Sequence, residues 1–152
     1  AIVLGLTPGP GAGRGRLIDL IFKKTVRPKL IAPCFLIDPP VDIEPLAKRL
    51  PSDSRRVERF QIMALGTELG KGFSELNDPL DQKERFIAQQ ELLDKGDKEA
   101  MMPDFEFVEM LEYGMPPACG FGFGEMLFAF LADKPIRETQ FFPLMKPKQE
   151  SL

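Results

Sequence analysis

The sequence predicts an α+β domain in which an antiparallel β-sheet is flanked by helices. Two strand-like stretches, 59–69 and 72–76, lie close together, and the short link at 70–71 is compatible with a hairpin. Helix-like stretches follow as separate blocks, at 79–95 and 104–113, instead of alternating with the strands. This segregation favours α+β over a doubly wound parallel sheet.

The composition is that of an ordinary globular chain and excludes several functional classes. A length of 152 residues suits one domain, with 43% hydrophobic and 28% charged residues. The formal net charge of −3 gives no overall basic footprint for nucleic acid. No run of about 18 apolar residues exists, so no membrane span is expected. The absence of histidine excludes histidine-dependent triads, general bases and metal sites.

The two cysteines indicate a cellular compartment and do not indicate a metal site. Cys34 and Cys119 lack metal-type spacing, and we expect both to be buried free thiols. That usage fits a cytoplasmic protein. The early glycines and prolines do not form a signal-peptide pattern.

The N-terminal third contains one clear helix. An apolar run at 1–6 could form a strand, and the Gly/Pro-rich stretch 7–15 reads as a loop, so we treat 1–15 as a flexible segment. Apolar residues at helical spacing predict a helix over 16–26, which Pro28 ends. The apolar stretch 30–37 predicts a buried strand.

Two helices in the second half have clear start and stop signals. Asn77 and Asp78 can cap a helix with proline in its first turn, running to about Lys95 and ending at Gly96. We expect one side of it to carry three residues, Phe86, Gln90 and Leu93. A second helix spans 104–113 and is ended by Gly114.

Alternating glycines form the most unusual local pattern. Gly120, Gly122 and Gly124 would leave one face of a strand without side chains, and the segment after Gly124 has helical character. A bare strand face that leads into a helix N-terminus suits a flat ligand with phosphates, such as a nucleotide. The alternative is a tight strand-to-helix junction without a ligand.

Two glutamates lie in otherwise apolar strand-like stretches. If Glu68 or Glu75 faces inward, its carboxylate needs a partner, because an unpaired buried charge is costly. A cationic substrate or a metal ion that bridges to phosphate would serve. The alternative is a carboxylate that faces solvent, as most glutamates do.

Four sequence blocks occur in the order found in one enzyme family. They are IEPLAKR at 43–49, GFSELNDPLDQKERF at 72–86, GFGFGE at 120–125 and FFPLMKP at 141–147. The third block resembles motif 3 of class II aminoacyl-tRNA synthetases. The whole set resembles the C-terminal part of the catalytic domain of lysyl-tRNA synthetases. The resemblance implies that 16–147 is this part of an α+β catalytic domain, and that 148–152 is a tail.

The resemblance also implies roles for individual residues. Glu75 would pair with the ammonium of lysine, in a pocket formed with Phe73 and Lys71. Glu68 would bind both ATP and Mg²⁺. The other residues of the ATP site would be Gly120, Gly122, Gly124 and Glu125. The other metal positions would be Gln61 and Glu75. Lysine, ATP and, in the parent enzyme, tRNA are the implied partners, and a homodimer is compatible with the family.

Several positions depart from the family pattern. Gln61 stands where the family has a second metal-binding glutamate, Lys71 where it has asparagine, and Glu44 where it has serine. The acid of motif 3 is Glu125, but Met126 follows it in place of arginine, and we interpret Met126 as a core residue of the helix.

Two hypotheses remain from the sequence. Nothing resembles motif 1 or motif 2, so the first is a lysine–tRNA ligase catalytic-domain fragment that is inactive when isolated. The second is a non-catalytic, synthetase-like binding module.

Overall fold

A computed structural model describes residues 2–9 and 11–144. All of its paired strands are antiparallel within this part of the chain, which confirms the α+β prediction. Four strands form the central sheet in the order β1-β4-β5-β6, and two short ones form a separate ribbon. The strands are β1 Cys34–Ile37, β2 Arg49–Leu50, β3 Asp53–Val57, β4 Arg59–Ala64, β5 Thr67–Ser74 and β6 Cys119–Phe123.

In the described residues, four α-helices accompany the sheet: α1 Arg14–Ile21, α2 Pro79–Asp94, α3 Phe105–Glu112 and α4 Glu125–Leu131. The N-terminal helix differs in detail from the prediction. It begins two residues earlier and continues through a π-helical turn, Phe22–Val26, and a 3₁₀ turn, Arg27–Lys29. Pro28 therefore lies inside the last turn. Proline is tolerated there because the first positions of a new turn need no N–H donor.

The predicted cap of α2 is confirmed, and α3 begins with a cap that the sequence analysis did not predict. The Asp78 carboxylate accepts hydrogen bonds from the backbone N–H groups of Leu80 and Asp81 at the start of α2. Asp104 accepts from Phe107 N–H in the same way at 3.0 Å. Gly96 and Gly114 follow the two helices with φ of 91° and 102°, a conformation that glycine adopts without strain.

The buried side of α2 is not the one expected from Phe86, Gln90 and Leu93. Gln90 is exposed, and the buried residues are Gln82, Arg85, Phe86 and Gln89. This side meets backbone carbonyl groups at 44–47, so it requires donors: Gln82 binds the Pro45 carbonyl, and Arg85 binds those of Glu44 and Ala47. Phe86 packs edge-on against Phe105 of α3, with ring centroids 6.3 Å apart.

The hairpin predicted at 70–71 is wrong. The chain reverses at Leu65 and Gly66, whose φ values of 51° and 68° are those of a type I′ turn, and β5 then runs without a break through 70–71. Leucine is not a usual residue at such a position, so local sequence chemistry does not reveal the turn. The strand predicted at 1–6 is also wrong, since Ile2–Leu4 is a 3₁₀ turn.

Strand β5 contains one extra residue relative to β4. Met63 pairs with Glu68, whereas Ile62 pairs with Gly70, so Leu69 is a β-bulge. Beyond the bulge the register is regular again.

The sheet has two unlike faces. The polar face carries Arg59, Gln61, Met63, Glu68, Lys71, Phe73 and the backbone of Gly120 and Gly122. The aromatic face carries Phe35, Ile37, Phe60, Ile62, Phe121 and Phe123. The ring of Phe60 stacks on that of Phe121 with centroids 5.6 Å apart, and Phe35 meets Phe60 edge-on. The strand predicted at 30–37 is thus only partly buried, because Phe35 and Ile37 are exposed.

Both thiols are free, as predicted, but neither is buried. Cys34 is half-buried, and Cys119 is exposed on the edge strand β6. Within the described residues, no helix is both long enough and apolar enough to cross a membrane.

The ion pairs around Asp81 give the first testable prediction. Asp81 accepts paired hydrogen bonds from both Arg49 and the buried Arg85. Replacing Asp81 with asparagine leaves the Arg85 charge without its partner, and we expect the free energy of unfolding to fall by about 3 kcal/mol. Urea unfolding measures this. The matched control is Glu91→Gln in the exposed pair with Lys95, which should change stability by less than about 0.5 kcal/mol. Equal losses in the two variants would contradict the assignment.

The same carboxylate predicts a pH dependence. Burial raises the pKa of Asp81, but the hydrogen bonds from Arg85 and Arg49 outweigh burial and hold this pKa at about 2. The resulting stabilisation is complete above the unfolded-state pKa of about 4 and is lost as pH falls towards 2. The stability difference between the wild type and Asp81→Asn should therefore be constant from pH 7 to 5 and shrink below pH 4. A difference that grows on acidification would overturn this prediction.

Candidate functional site

Most of the predicted site residues lie on the polar face, in two rows across three strands. One row contains Gln61 on β4, Lys71 on β5 and Gly122 on β6. The next contains Arg59, Phe73 and Gly120. Directly opposed residues point to the same side of a sheet, so the register brings these positions together.

The bulge brings Glu68 to the same face. Glu68 pairs with Met63, which is two residues from Gln61 and shares its face. The side-chain amide of Gln61 donates a hydrogen bond to the Glu68 carboxylate. The half-buried Glu68 thus has a neutral partner where the resemblance implied a second acid, and the two residues form one polar unit.

Glu75 lies just past the end of β5, against the glycine strand. Its backbone N–H donates to the Ala118 carbonyl at 3.0 Å, and it forms an antiparallel bridge with Ala47. A Cβ atom on Gly120 would lie only 3.2 Å from the Glu75 Oε1 atom, so the missing side chain makes room for this carboxylate. Glu75 is half-buried, and its carboxylate has no ion pair or hydrogen bond with the rest of the described chain.

The glycines have two different roles. Above Gly122 nothing lies within 4 Å of the position of a Cβ atom, so this part of the polar face is open down to the backbone. Gly124 is not part of the strand, as the alternating pattern suggested, because β6 ends at Phe123. It is the N-cap residue of α4, and its N–H donates to the Leu69 carbonyl at 2.8 Å.

The start of α4 differs from the prediction at one position. Met126 was expected in the core, but its side chain is half exposed. A seven-residue helix against one edge of the sheet has only a narrow buried side, which here contains Ala129. Glu125 is exposed, and its carboxylate accepts a hydrogen bond from the Gln140 side chain.

An ion pair that the sequence did not predict borders the site. Arg59, beside Phe73 in the same row, contacts Glu44 through its guanidinium group, and burial lowers the pKa of Arg59. Its Nε atom is buried without a hydrogen-bond partner. The available signal was the departure at Glu44, since an acid in place of serine suggests a buried cation nearby.

A cavity of about 250 Å³ lies beside this pair, between α1 and the β1–β4 side of the polar face. Phe22 and Ile18 line it from the N-terminal helical segment, and Arg59, Gln61 and Glu68 line it from the sheet. This segment therefore covers one side of the polar face, and Lys71 on the other side remains exposed.

The donor set for a metal ion is small. Between residues 2 and 144, with residue 10 left aside, no three His, Cys, Asp or Glu side chains cluster closely enough to hold a metal ion. Glu68 is a half-buried carboxylate on the polar face, with the Gln61 amide bound to it. Mg²⁺ needs only one or two protein carboxylates when substrate phosphates complete its shell, so Glu68 with phosphate fits a weak Mg²⁺ site.

Comparison with known proteins identifies the family of this chain. Residues 18–146 match the model of the tRNA synthetases class II (D, K and N). The chain is 49% identical over 152 residues to a lysine–tRNA ligase of Moorella thermoacetica, covering 99% of this chain and 31% of that protein. It is 49% identical over 138 residues to the lysine–tRNA ligase of Thermotoga maritima, covering 90% and 27%.

A third relative gives the same result. The lysine–tRNA ligase of Christiangramia forsetii is 46% identical over 142 residues, covering 92% of this chain and 25% of its own length. The chain thus spans less than a third of the curated relatives it matches. The match covers the whole polar face, β6 and α4, and the predicted resemblance is confirmed. The chain belongs to the class II tRNA synthetases of the D, K and N group.

Proposed function

We propose that this chain is the part of a lysine–tRNA ligase catalytic domain that binds the side chain of lysine and the nucleotide. The parent enzyme would activate lysine with ATP and transfer it to tRNA, working in the cytoplasm and, as a further proposal, as a homodimer. The observation that carries the proposal is the Glu75 carboxylate, which lies against Gly120 without a partner among the described residues.

The chemistry of lysine suits this position. A primary ammonium is held best by a fixed carboxylate, and a charge-assisted hydrogen bond is stronger than a neutral one. The methylene chain of the ligand needs an apolar wall. Phe73 lies two residues before Glu75 in extended backbone, so both side chains point to the same side and can supply the wall and the charge.

The glycines of β6 form a surface, here called the glycine floor, that suits a nucleotide. Gly122 leaves the backbone of β6 open to a flat group, beside Gly120 and the Glu75 carboxylate, with Gly124 and Glu125 at the end of the strand. Glu68, with the Gln61 amide bound to it, would hold the Mg²⁺ that accompanies ATP, together with the phosphates. That ion would supply positive charge at the phosphates. The side chains named here bind and orient the ligands.

The complete reaction requires more than this chain offers. Adenylation needs several placed cations to neutralise the charge of ATP. Met126 cannot supply one, and we expect no aminoacylation by the isolated chain. A non-catalytic synthetase-like binding module is the second candidate, and the exposed Met126 favours it. Aminoacylation by the isolated chain near the rate of a complete ligase would exclude that candidate.

The Glu75→Gln variant tests the lysine pocket. Removing the negative charge should weaken lysine binding at least about tenfold, because a charged hydrogen bond contributes about 1.5–3 kcal/mol. Isothermal titration calorimetry of the whole chain with lysine measures the change. Norleucine, which lacks the terminal ammonium, should bind wild type and variant equally.

The matched control is Glu109→Gln on the exposed side of α3, which is not one of the proposed site residues. It should bind lysine as the wild type does. Equal affinity of the wild type and Glu75→Gln for lysine would contradict the assigned role.

The Gly122→Ala variant tests the glycine floor. An added methyl meets no atom within 4 Å, so stability should change by less than about 1 kcal/mol. The same methyl stands where the flat ligand would lie, and ATP affinity should fall about tenfold or more. Thermal unfolding and ATP titration measure the two effects. Unchanged ATP affinity in a folded variant would remove the floor from the proposal.

A further inference from the structure

We propose that the Lys71 ammonium supplies the main positive charge for the phosphates of the nucleotide on the glycine floor. Binding of the polyphosphate then depends more on this side chain than on a divalent metal ion. The inference rests on the proposed function in one respect, since it concerns the nucleotide part of the same site.

The position of Lys71 is the first argument. It lies at the centre of its row, with Gln61 directly opposite on β4 and the open Gly122 directly opposite on β6. Opposed residues in a sheet are about 5 Å apart, which is within reach of a lysine side chain. The side chain is exposed and has no ion pair with the rest of the described chain. Its ammonium can therefore extend over the part of the floor that is free of side chains.

The other basic side chains named near this face already contact other groups of the chain. Arg59 is buried and contacts Glu44, and Arg27 donates to the Gly66 carbonyl at 2.8 Å. The Lys48 ammonium donates to the Asn77 side chain at 3.1 Å. Lys71 is thus the cation that a phosphate on the floor would meet first.

The balance of charge around Lys71 is the second argument. Gln61 is neutral and binds the Glu68 carboxylate, whereas Asp19 and Glu44, which line the same cavity, pair with Lys23 and Arg59. Gln61, Glu68 and Lys71 therefore carry no net charge together. Mg²⁺ gives up its water reluctantly and is held by carboxylates, so one acid already bound by an amide retains it weakly. The adjacent ammonium repels a divalent cation but attracts phosphate, for which lysine is a common ligand. Both effects favour a polyphosphate over a metal ion.

The experiment uses inorganic triphosphate and ATP as probes, titrated into the whole chain by calorimetry in EDTA and in excess Mg²⁺. The wild type should bind triphosphate in EDTA, and Mg²⁺ should change the affinity less than about threefold. Lys71→Gln should weaken binding in EDTA about tenfold or more, and Lys71→Arg should retain most of it. The matched control, Lys83→Gln on the exposed side of α2, should bind as the wild type does. Far-ultraviolet circular dichroism verifies that each variant is folded.

A second experiment measures the binding of a divalent metal ion in the absence of nucleotide. Electron paramagnetic resonance should detect little Mn²⁺ bound to the wild type, whereas the double variant Gln61→Glu/Lys71→Gln, with two acids and no ammonium, should bind Mn²⁺ at least about tenfold more tightly. Tight Mn²⁺ binding by the wild type would overturn the proposal. Absent triphosphate binding, or equal binding by wild type and Lys71→Gln, would do the same.

The two proposals fail separately. Loss of lysine binding in Glu75→Gln, combined with unchanged triphosphate binding in Lys71→Gln, would reject the role of Lys71 and leave the lysine pocket standing. Triphosphate binding that depends on Lys71, in a chain that does not bind lysine, would support the role of Lys71 and reject the lysine pocket.

Discussion

The candidate site depends on one geometric constraint, the β-bulge at Leu69. Side chains alternate along a strand, so residues an odd number apart point to opposite faces. Glu68 and Lys71 are three apart, and without the extra residue one of them would point into the aromatic face. The bulge corrects the alternation, and the register places Glu68, Lys71 and Phe73 on one face. Because the Leu69 carbonyl also accepts from Gly124 N–H, the same feature fixes where β6 ends and α4 begins.

The position of Glu75 depends on a second set of contacts, which begins in α2. Arg85 donates to the carbonyls of Glu44 and Ala47 and so holds the 44–47 segment against the helix. Ala47 in turn bridges to Glu75, and Leu76 N–H donates to the Leu46 carbonyl at 2.9 Å. Asp81 neutralises Arg85, which allows a guanidinium to be buried there. The polar side of α2, unfavourable in isolation, thus positions a site residue.

The sequence was most informative where structure is determined locally. Capping at Asp78 and termination at Gly96 and Gly114 follow from interactions within a few residues, and the structure has them as predicted. The likeness to the synthetases identified the residues that the polar face brings together.

Features that depend on a distant partner could not be predicted. The turn at Leu65 has an unfavourable residue at positive φ, and the bulge is defined only by the register with β4. The Arg59 ion pair requires two segments fifteen residues apart to meet. Met126 was interpreted from its apolar character, but α4 packs on too few residues to bury it.

The aromatic face has a practical consequence for the behaviour of the chain in solution. Phe35, Ile37, Phe121 and Phe123 each expose more than half of their surface, and they lie on β1 and β6, the two edge strands of the sheet in the described part of the chain. A contiguous apolar surface that reaches the backbone N–H and C=O groups of an edge strand promotes association between copies of the chain. The net charge of −3 gives little electrostatic repulsion between those copies. We therefore expect self-association to increase with protein concentration and with the concentration of salting-out ions. Dilute samples with mild detergent or low sulfate suit measurements on this chain best.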